Sequence, residues 1–470
     1  MQSFIKWGLR LSILTYGFMH VMTYFNPVPP LLELLWISGL LIFLFTTLHL
    51  GIRSIKLPLF LFLCGVAVFL ASDENMIEGF RNGFLQMRSI VGLLIVIPLI
   101  SWVLRDEPYL EAIMNVGHHF LDTGRKFYVG MISFIQIVAY FLLFGSIPMM
   151  YQFVNMILKD ETGEAWEKFK GTALLRGFAL SVLWVVSIPS FIYVVETMEA
   201  SLWVSIFQGL VISAVMVLIS LLFLQADEKK YQIDFTSGIR NEIEHVLAKG
   251  NSHEENRRKA VEFIVLFITL FGTILVIHEW RGIELMIAIP LVVLIWTAVF
   301  YLLKKRPGKF LQELKSHVEK DMIHQGYQLS ILLGAGVLID ALNQTRFAEV
   351  AVNGINSLQE HLPFLNMLYF LPFMVIILGF FGLGPLTVMV LIAGILESLS
   401  LPYPPELIVL AITSGSAISI LLSPLILPLI VLSGSNGLNS YKNGIGFNLM
   451  FAIMLYVIVQ IYIQMMIYMF

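Results

Sequence analysis

SGSAISILLSPLILPLIVLSGSNG, residues 414–437, is apolar enough for a membrane-spanning helix but contains six serines, three glycines and two prolines. Hydrocarbon offers no hydrogen-bond partners, and each unsatisfied peptide group there costs several kcal/mol. An opened backbone therefore persists at membrane depth only where it is buried in protein or lines a polar cavity. The stretch predicts a half-helix that begins near Ser414 and is interrupted at Ser423-Pro424.

The rest of the chain is also strongly apolar. Of its 470 residues, 58% are hydrophobic and 13% are charged, and the mean hydropathy is +0.84. Thirteen apolar runs approach the roughly 20 residues that span a bilayer. This composition predicts an all-α polytopic protein of the cytoplasmic (inner) membrane. The first run lacks a small-residue cleavage site, so we interpret it as a retained helix.

Several function classes are not expected. The net charge of −3 gives no indication of a nucleic-acid partner, and the single Cys64 lies inside an apolar run, which excludes disulfides and cysteine-based metal sites. The chain lacks the phosphate-cradling loop of nucleotide-binding proteins, so it does not itself use ATP. Apolar runs contain no paired histidines, clustered carboxylates or nucleophile-base spacing. We therefore expect no enzyme activity, no metal and no cofactor.

The two halves of the chain resemble each other. When the sequence is shifted by about 238 positions, Gly177 aligns with Gly415, and one residue off this register GSIP at 145–148 aligns with GLGP at 382–385. Chance similarity between apolar helices is the alternative, but paired Gly and Pro positions are more specific. The predicted division is an additional N-terminal transmembrane helix at 1–29, a first repeat at 30–226, a cytoplasmic linker at 227–259 and a second repeat at 260–470.

Basic residues indicate the orientation of the repeats, because short loops rich in Lys and Arg stay in the cytoplasm. Arg53 and Lys56 follow the first helix of repeat one, whereas KKRPGK at 304–309 follows the second helix of repeat two. Equivalent loops then lie on opposite sides of the membrane, which predicts two inverted-topology repeats. Lys6 and Arg10 place the amino terminus in the cytoplasm.

The cytoplasmic linker requires an odd number of crossings in each repeat. Six apolar segments per repeat therefore predict about five crossings plus one re-entrant hairpin each. The candidate hairpins are the segments 129–158 and 364–398, which GSIP and GLGP interrupt. A long, Pro-kinked helix is the alternative, and parity leaves open whether this segment or its successor forms the hairpin.

Inverted repeats with discontinuous helices are typical of secondary transporters, in which half-helix amino termini face anionic groups and freed carbonyls bind coupling cations. The broken segments supply the candidate substrate-binding residues. In the first repeat these are Gly145, Ser146, Pro148, Arg176 and Ser181, and in the second they are Gly382, Gly384, Pro385, Thr387, Ser414, Gly415, Ser416, Ser419 and Ser423.

Charged residues within apolar runs are functional candidates. The guanidinium of Arg176 can bind a carboxylate or phosphate, or the side chain can extend to the outer membrane interface. Both interpretations are open. Asp340 and Asn343 end an apolar helix and are candidate coupling residues for H+ or Na+, with ordinary capping of a helix end as the alternative.

Three segments resemble the second repeat of carriers in the ion-transporter superfamily, which includes sodium-coupled dicarboxylate carriers and gluconate-type permeases. They are LSILLGAGVLIDALNQTRFAEVAVNGI (329–355), LPFMVIILGFFGLGPLTV (371–388) and SGSAISILLSPLILP (414–428). The resemblance implies a carrier fold and a homodimer. The Ser-Asn-Thr signature of the sodium-coupled dicarboxylate branch is absent, so the resemblance indicates an uncharacterised branch.

The sequence thus predicts a secondary active transporter that moves a small anionic solute by alternating access, coupled to H+ or Na+. The alternative is a transporter or flippase of a phosphate-bearing envelope lipid, with Arg176 at the head group. A groove open to lipid would favour the alternative, and a closed central cavity would favour the soluble anion.

Overall fold

The computed structural model describes residues 2–72, 76–117, 122–159, 161–240, 253–345, 347, 350, 353–354, 357, 366–399 and 401–469. The described residues form helices and no strands. In chain order the helices are α1 Gln2–Phe25, α2 Pro29–Leu50, α3 Lys56–Ser72, α4 Met76–Gln86, α5 Arg88–Val96, α6 Leu99–Asp106, α7 Tyr109–Gly117, α8 Gly124–Leu142, α9 Ser146–Ile157, α10 Glu164–Ser181, α11 Pro189–Thr197, α12 Leu202–Tyr231, α13 His253–Arg281, α14 Leu285–Leu303, α15 Pro307–Ser316, α16 Met322–Asn343, α17 Met367–Phe380, α18 Pro385–Leu396, α19 Pro405–Leu422, α20 Leu427–Asn436 and α21 Phe447–Met469.

Nine helical segments among the described residues are long and apolar enough to cross a membrane. The protein is therefore an all-α polytopic membrane protein, as the composition predicts. The nine are Pro29–Leu50, Arg88–Asp106, Gly124–Leu142, Leu202–Tyr231, Glu254–Arg281, Leu285–Leu303, Pro307–Asn343, Pro405–Asn436 and Lys442–Met469. The predicted additional N-terminal helix is continuous as α1 but is not one of the nine. Within the predicted linker 227–259, residues 241–252 lie outside the described residues.

The chain divides into two compact units. The first unit comprises Met1–Val103, Gly272–Leu365 and Val390–Leu401, and the second comprises Leu104–Phe271, Asn366–Met389 and Pro402–Phe470. Each unit thus combines segments from both halves of the sequence.

In the first unit, glycines let helix backbones approach closely. A Cβ atom on Gly334 of α16 would lie 2.7 Å from the carbonyl oxygen of Pro58 on α3, and one on Gly336 would lie 2.3 Å from the carbonyl oxygen of Gly83 on α4. Hydrophobic burial drives helix association weakly in lipid, so packing of this kind carries much of the stability.

The interruption between α5 and α6 is also explained by the sequence. Pro98 has no backbone N–H, so it cannot bond the carbonyl of Leu94 as a helical residue would. The side chain of Gln325 donates instead to the Leu94 carbonyl at 3.3 Å, and Nε2 of His317 donates to the Ile95 carbonyl at 2.9 Å. Side chains of the second half of the chain therefore satisfy peptide groups that the proline leaves open.

Helix α10 lies at the centre of the second unit, where it packs against α8, α9, α12, α19, α20 and α21. Every residue from Phe169 to Ser181 is buried. A segment at 182–188 separates α10 from α11, and a segment at 423–426 separates α19 from α20. The structure thus places the second interruption at Ser423-Pro424, within residues 414–437. The predicted helix start near Ser414 is wrong, because α19 begins at Pro405 and continues through Ser414 to Leu422.

The paired glycines lie at helix crossings in the second unit. A Cβ atom on Gly177 would lie 2.6 Å from the carbonyl oxygen of Ile132 on α8. One on Gly415 would lie 2.7 Å from the carbonyl oxygen of Pro372 on α17. At Gly177, α10 touches the backbone of α8, and at Gly415, α19 touches the backbone of α17. Only a residue without a side chain fits at either position.

We expect Gly177→Ala and Gly415→Ala each to destabilise the protein by about 1–3 kcal/mol, because the added methyl group overlaps a backbone carbonyl. The measurement is the melting temperature of the purified protein in detergent. Gly272→Ala in α13 is the matched control, since nothing lies within 4 Å of its Cβ position. Equal melting temperatures for all three variants would contradict the close crossings.

Candidate functional site

The candidate substrate-binding residues all belong to the second unit, whereas Asp340 and Asn343 belong to the first. Gln344 donates to Oδ2 of Asp340 at 2.5 Å. Nδ2 of Asn343 donates to the carbonyl of Gly394 at 3.3 Å, and its Oδ1 accepts from Ser398 at 3.0 Å. These contacts tie the end of α16 to its neighbours, and a role in ion coupling stays a prediction.

In the second half of the chain, the structure brings the helix interruption against the end of α17. Oγ of Ser423 donates to the carbonyl of Gly379 at 2.9 Å. Oγ of Ser419 lies directly over the Cα atom of Gly379, where a Cβ atom would be only 1.8 Å away. Beyond the end of α17, Gly382 adopts a positive φ of 85°. Its Cβ position is 3.9 Å from Leu425 in the interruption.

Three of the six candidate serines bond the backbone close by in the chain. The hydroxyls of Ser146, Ser181 and Ser414 donate to backbone carbonyls three residues earlier, at 2.6, 2.6 and 2.9 Å. Ser416 and Ser419 differ, because both are buried and their Oγ atoms have no hydrogen-bond partner in the described part of the chain. These two hydroxyls are therefore unsatisfied within the described residues, and that of Ser419 is packed against Gly379.

Ser187 shares this property but was missed at the level of sequence. It lies in the interruption between α10 and α11, is 2% exposed, and its Oγ has no partner among the described residues. The sequence signal was its place directly before Ile188-Pro189, where α11 begins. Buried hydroxyls without partners therefore occur at or just before both interruptions.

The remaining candidates lie at or near the turn between α8 and α9 and the turn between α17 and α18. Gly145 is exposed and ends a 3₁₀ turn, Leu143–Gly145, that precedes Ser146 and Pro148 in α9. Around Gly384 there is open space, since nothing lies within 4 Å of its Cβ position. Pro385 begins α18, and Thr387 is 4% exposed in that helix. At Gly384 a larger side chain would find room.

Arg176 is buried at the centre of the second unit and is 1% exposed. Its Nε donates to Oδ1 of Asn448 at 2.9 Å, one terminal nitrogen to the hydroxyl of Tyr128 at 3.1 Å, and the other to the carbonyl of Phe447 at 3.3 Å. The guanidinium also lies over the rings of Phe451 and Phe223, at 4.5 and 5.2 Å. The side chain is therefore enclosed by neighbouring helices.

Charge is unbalanced around Arg176. Its three acceptors are neutral, and among the described residues no carboxylate forms an ion pair with it. A buried cation normally requires a counter-charge, because its desolvation costs several kcal/mol. The amide, hydroxyl, carbonyl and aromatic faces reduce this cost without cancelling the charge. The site thus retains a positive charge inside the unit.

Three hydrogen-bonded asparagines connect Arg176 to the end of the segment 414–437. Nδ2 of Asn448 donates to the carbonyl of Asn443 at 2.8 Å, and Asn443 and Asn436 exchange two hydrogen bonds of 2.8 and 3.0 Å. Asn443 lies in a π-helical turn, Lys442–Gly446, a feature that is frequent at functional sites. Of Arg176 and these three asparagines, the sequence indicated only Arg176 as a candidate.

Lys170 is a second buried cation in α10, and it is balanced. Its Nζ is 2.6 Å from Oε1 of Glu167 and donates to Oδ1 of Asn155 at 2.7 Å. The hydroxyl of Tyr151 donates to the other oxygen of Glu167 at 2.5 Å. Sequence patterns missed this cluster because the charged residues 164–170 precede an apolar run and resemble a solvated loop. The structure instead begins α10 at Glu164 and buries the helix from Phe169 onward.

No group of three or more His, Cys, Asp or Glu side chains with metal-binding geometry occurs within the described residues. No model of a known protein family matches the chain, and no curated protein is significantly similar to it. The likeness to the ion-transporter superfamily therefore stays a prediction, and function must be argued from the geometry of the second unit.

Replacing Lys170 with Met should destabilise the protein by up to about 3–5 kcal/mol, because it leaves Glu167, which is only 17% exposed, beside Tyr151 without a counter-charge. Combining Lys170→Met with Glu167→Gln should recover part of the loss, since the double variant removes both charges. Melting temperatures of the single and double variants test this. If the double variant melts at the temperature expected from adding the two single effects, the pair is not coupled.

Proposed function

We propose that this protein is a secondary active transporter of the cytoplasmic membrane, with a cytoplasmic amino terminus. It moves a small anion by alternating access and is coupled to H+ or Na+. The observation that carries the proposal is a pair of broken helices, α10–α11 and α19–α20, that run in opposite directions within one compact unit. Discontinuous helices of opposite direction are the recurring plan of such carriers.

The direction of α8 and α10 supports the first re-entrant hairpin. The hydroxyl of Tyr128, near the start of α8, bonds Thr172 at 2.9 Å. Further along α8, Gln136 accepts at 2.7 Å from Nε1 of Trp184, which lies just beyond the end of α10. The two helices are therefore parallel and begin at the same end of the unit. Because α9 must bring the chain back between them, the segment 129–158 suits a hairpin better than a long kinked helix.

The second half repeats this arrangement. Gly415 of α19 touches Pro372 of α17, and later in both helices Ser419 lies against Gly379. Helices α17 and α19 are thus parallel too, so α18 must return the chain. This supports the second hairpin in 364–398.

Contacts with α12 indicate the directions of the broken helices α10 and α19 relative to each other. Lys168, near the start of α10, pairs with Asp227 near the end of α12. Glu406, at the start of α19, accepts from the backbone N–H of Ser201 at 3.0 Å, and its carbonyl accepts from Gln208, both near the start of α12. The broken helices therefore begin at opposite ends of α12. Opposite directions support two inverted-topology repeats.

The unbalanced charge of Arg176 supports an anionic solute. An anion beside the guanidinium would supply the missing counter-charge. Because Arg176 is enclosed by α8, α12 and α21, a small soluble anion suits the position better than a lipid head group. The lipid transporter therefore remains the weaker alternative.

A thermal-shift screen of the purified protein against carboxylates, phosphates, nucleosides and polyprenyl phosphates, with and without sodium, tests the anion. We expect a carboxylate or phosphate to stabilise the wild type, by about 2.7 kcal/mol at one hundred times its dissociation constant. Asn448→Asp should abolish this shift, because the new carboxylate neutralises Arg176.

The matched control is Asn448→Ala, which removes the same hydrogen bond but leaves the positive charge in place. It should retain an anion-dependent shift. The proposal fails if no anion stabilises the wild type, or if Asn448→Asp responds to the anion as strongly as Asn448→Ala. Uptake of the stabilising anion into proteoliposomes, driven by a proton or sodium gradient, then distinguishes a transporter from a binding protein.

The inverted arrangement predicts that two basic turns, one after α2 at Arg53 and one after α14 at residues 304–309, lie on the same face of the membrane. In a Cys64→Ala background, Arg53→Cys and Lys305→Cys should both react with an impermeant thiol reagent only from the cytoplasmic side. Glu284→Cys, between α13 and α14, should react from the other side. Labelling of residues 53 and 305 from opposite sides would exclude the inverted repeats.

A further inference from the structure

Four polar residues of α10 lie one helical turn apart on the same face: Glu164, Lys168, Thr172 and Arg176. We call them the polar stripe. The exposed fraction of the side chain falls from 47% at Glu164 to 11% at Lys168. It is 2% at Thr172 and 1% at Arg176. The stripe therefore leads from the surface of the second unit to the buried guanidinium, over about 18 Å of helix.

Helix α12 presents a matching row along the stripe. Tyr231 donates from its hydroxyl to Glu164 at 3.2 Å, Asp227 pairs with Lys168, and the ring of Phe223 lies under Arg176. These residues of α12 are also four apart, and their order is reversed because the helices are antiparallel. The stripe thus has a continuous wall from the surface to the arginine.

The π-helical turn and the start of α21 form the other wall. Nζ of Lys442 is 2.7 Å from Oε2 of Glu164. The ring of Phe447 lies between the two lysines, 5.3 Å from Nζ of Lys168 and 6.0 Å from Nζ of Lys442. Its own carbonyl accepts from Arg176. Two ion pairs and one aromatic ring therefore separate the arginine from the surface.

We infer that the polar stripe is the route by which an anion passes between this surface of the second unit and Arg176, and that the Glu164–Lys442 and Lys168–Asp227 ion pairs close it in this conformation. This inference rests on the proposed function, because it assumes that Arg176 receives an anion.

The two ion pairs differ in exposure: Glu164 and Lys442 are 47% and 37% exposed, whereas Lys168 and Asp227 are 11% and 18% exposed. Exposed ion pairs contribute about 0–1 kcal/mol, so the outer pair opens at little cost. Opening it leaves the ammonium of Lys442 to attract an anion, and separating the next pair does the same for Lys168. Lys442 lowers the pKa of Glu164 through its hydrogen bond, so this carboxylate stays charged and the outer pair is intact near neutral pH. An anion would thus meet three cations in sequence.

Thiol accessibility tests the route without any transported substrate. Thr172→Cys in a Cys64→Ala background places a thiol on the stripe between Lys168 and Arg176. We expect it to react slowly with methanethiosulfonate reagents in the otherwise unchanged protein. Adding Glu164→Gln and Lys442→Gln should raise the rate at least tenfold. The anionic ethylsulfonate reagent should then react faster than the cationic trimethylammonium reagent, because Lys168 and Arg176 remain charged.

Two controls separate a route from general loosening. Ala173→Cys lies next to Thr172 but off the stripe and is fully buried, so it should stay unreactive in both backgrounds. Lys126→Gln removes an exposed ion pair with Asp122 elsewhere on the unit and should leave the rate at Thr172→Cys unchanged. An unchanged rate after Glu164→Gln and Lys442→Gln, or an equal rise at Ala173→Cys, would overturn the inference.

The route and the proposed function fail in different experiments. A reactive, anion-selective Thr172→Cys in a protein that no anion stabilises would leave an aqueous path without the proposed function. An anion-dependent thermal shift that Asn448→Asp abolishes, together with an unreactive Thr172→Cys, would leave the anion site but exclude this path to it.

Discussion

Peptide groups in a membrane must find hydrogen-bond partners within the protein, and the helix interruptions of this chain meet that constraint in a common way. Where Pro98 interrupts α5 and α6, side chains of His317 and Gln325 bond the free carbonyls. In the second unit, Ser423 bonds the carbonyl of Gly379, close to where α17 ends. Each of these two interruptions thus contacts a helix that is distant in sequence.

The sequence predicted the features that have a local cause. Gly, Ser and Pro between 414 and 437 indicated an interruption at Ser423-Pro424, and α19 ends at Leu422. The alignment of Gly177 with Gly415 also has a physical basis, because both glycines lie where a broken helix touches a neighbouring backbone. Turn chemistry and close crossings depend on few residues, so one sequence is enough to indicate them.

Features that depend on distant partners could not be predicted in this way. Lys170 looked like part of a solvated loop until the structure placed Glu167, Asn155 and Tyr151 around it. For Arg176 the sequence left two interpretations open, because nothing local indicates that Tyr128 and Asn448 would surround it. The assembly of each unit from both halves of the chain is likewise a property of long-range packing. Asp340 and Asn343 were candidate coupling residues because of their chemistry alone, and they belong to the other unit.

The ion pairs of α10 differ in a way that bears on movement. Lys170 and Glu167 both belong to α10, so a motion that separates α9 from α10 removes their hydrogen bonds to Asn155 and Tyr151 but leaves the charges paired. On the stripe, by contrast, Glu164 pairs with Lys442 of the π-helical turn and Lys168 pairs with Asp227 of α12, so separating α10 from these elements parts opposite charges. The cost is small for Glu164 and Lys442, which are 47% and 37% exposed, and larger for Lys168 and Asp227, which are 11% and 18% exposed. The outer end of the stripe can thus open to water at little cost, and an anion that enters there would supply a partner for Lys168 as the inner pair separates.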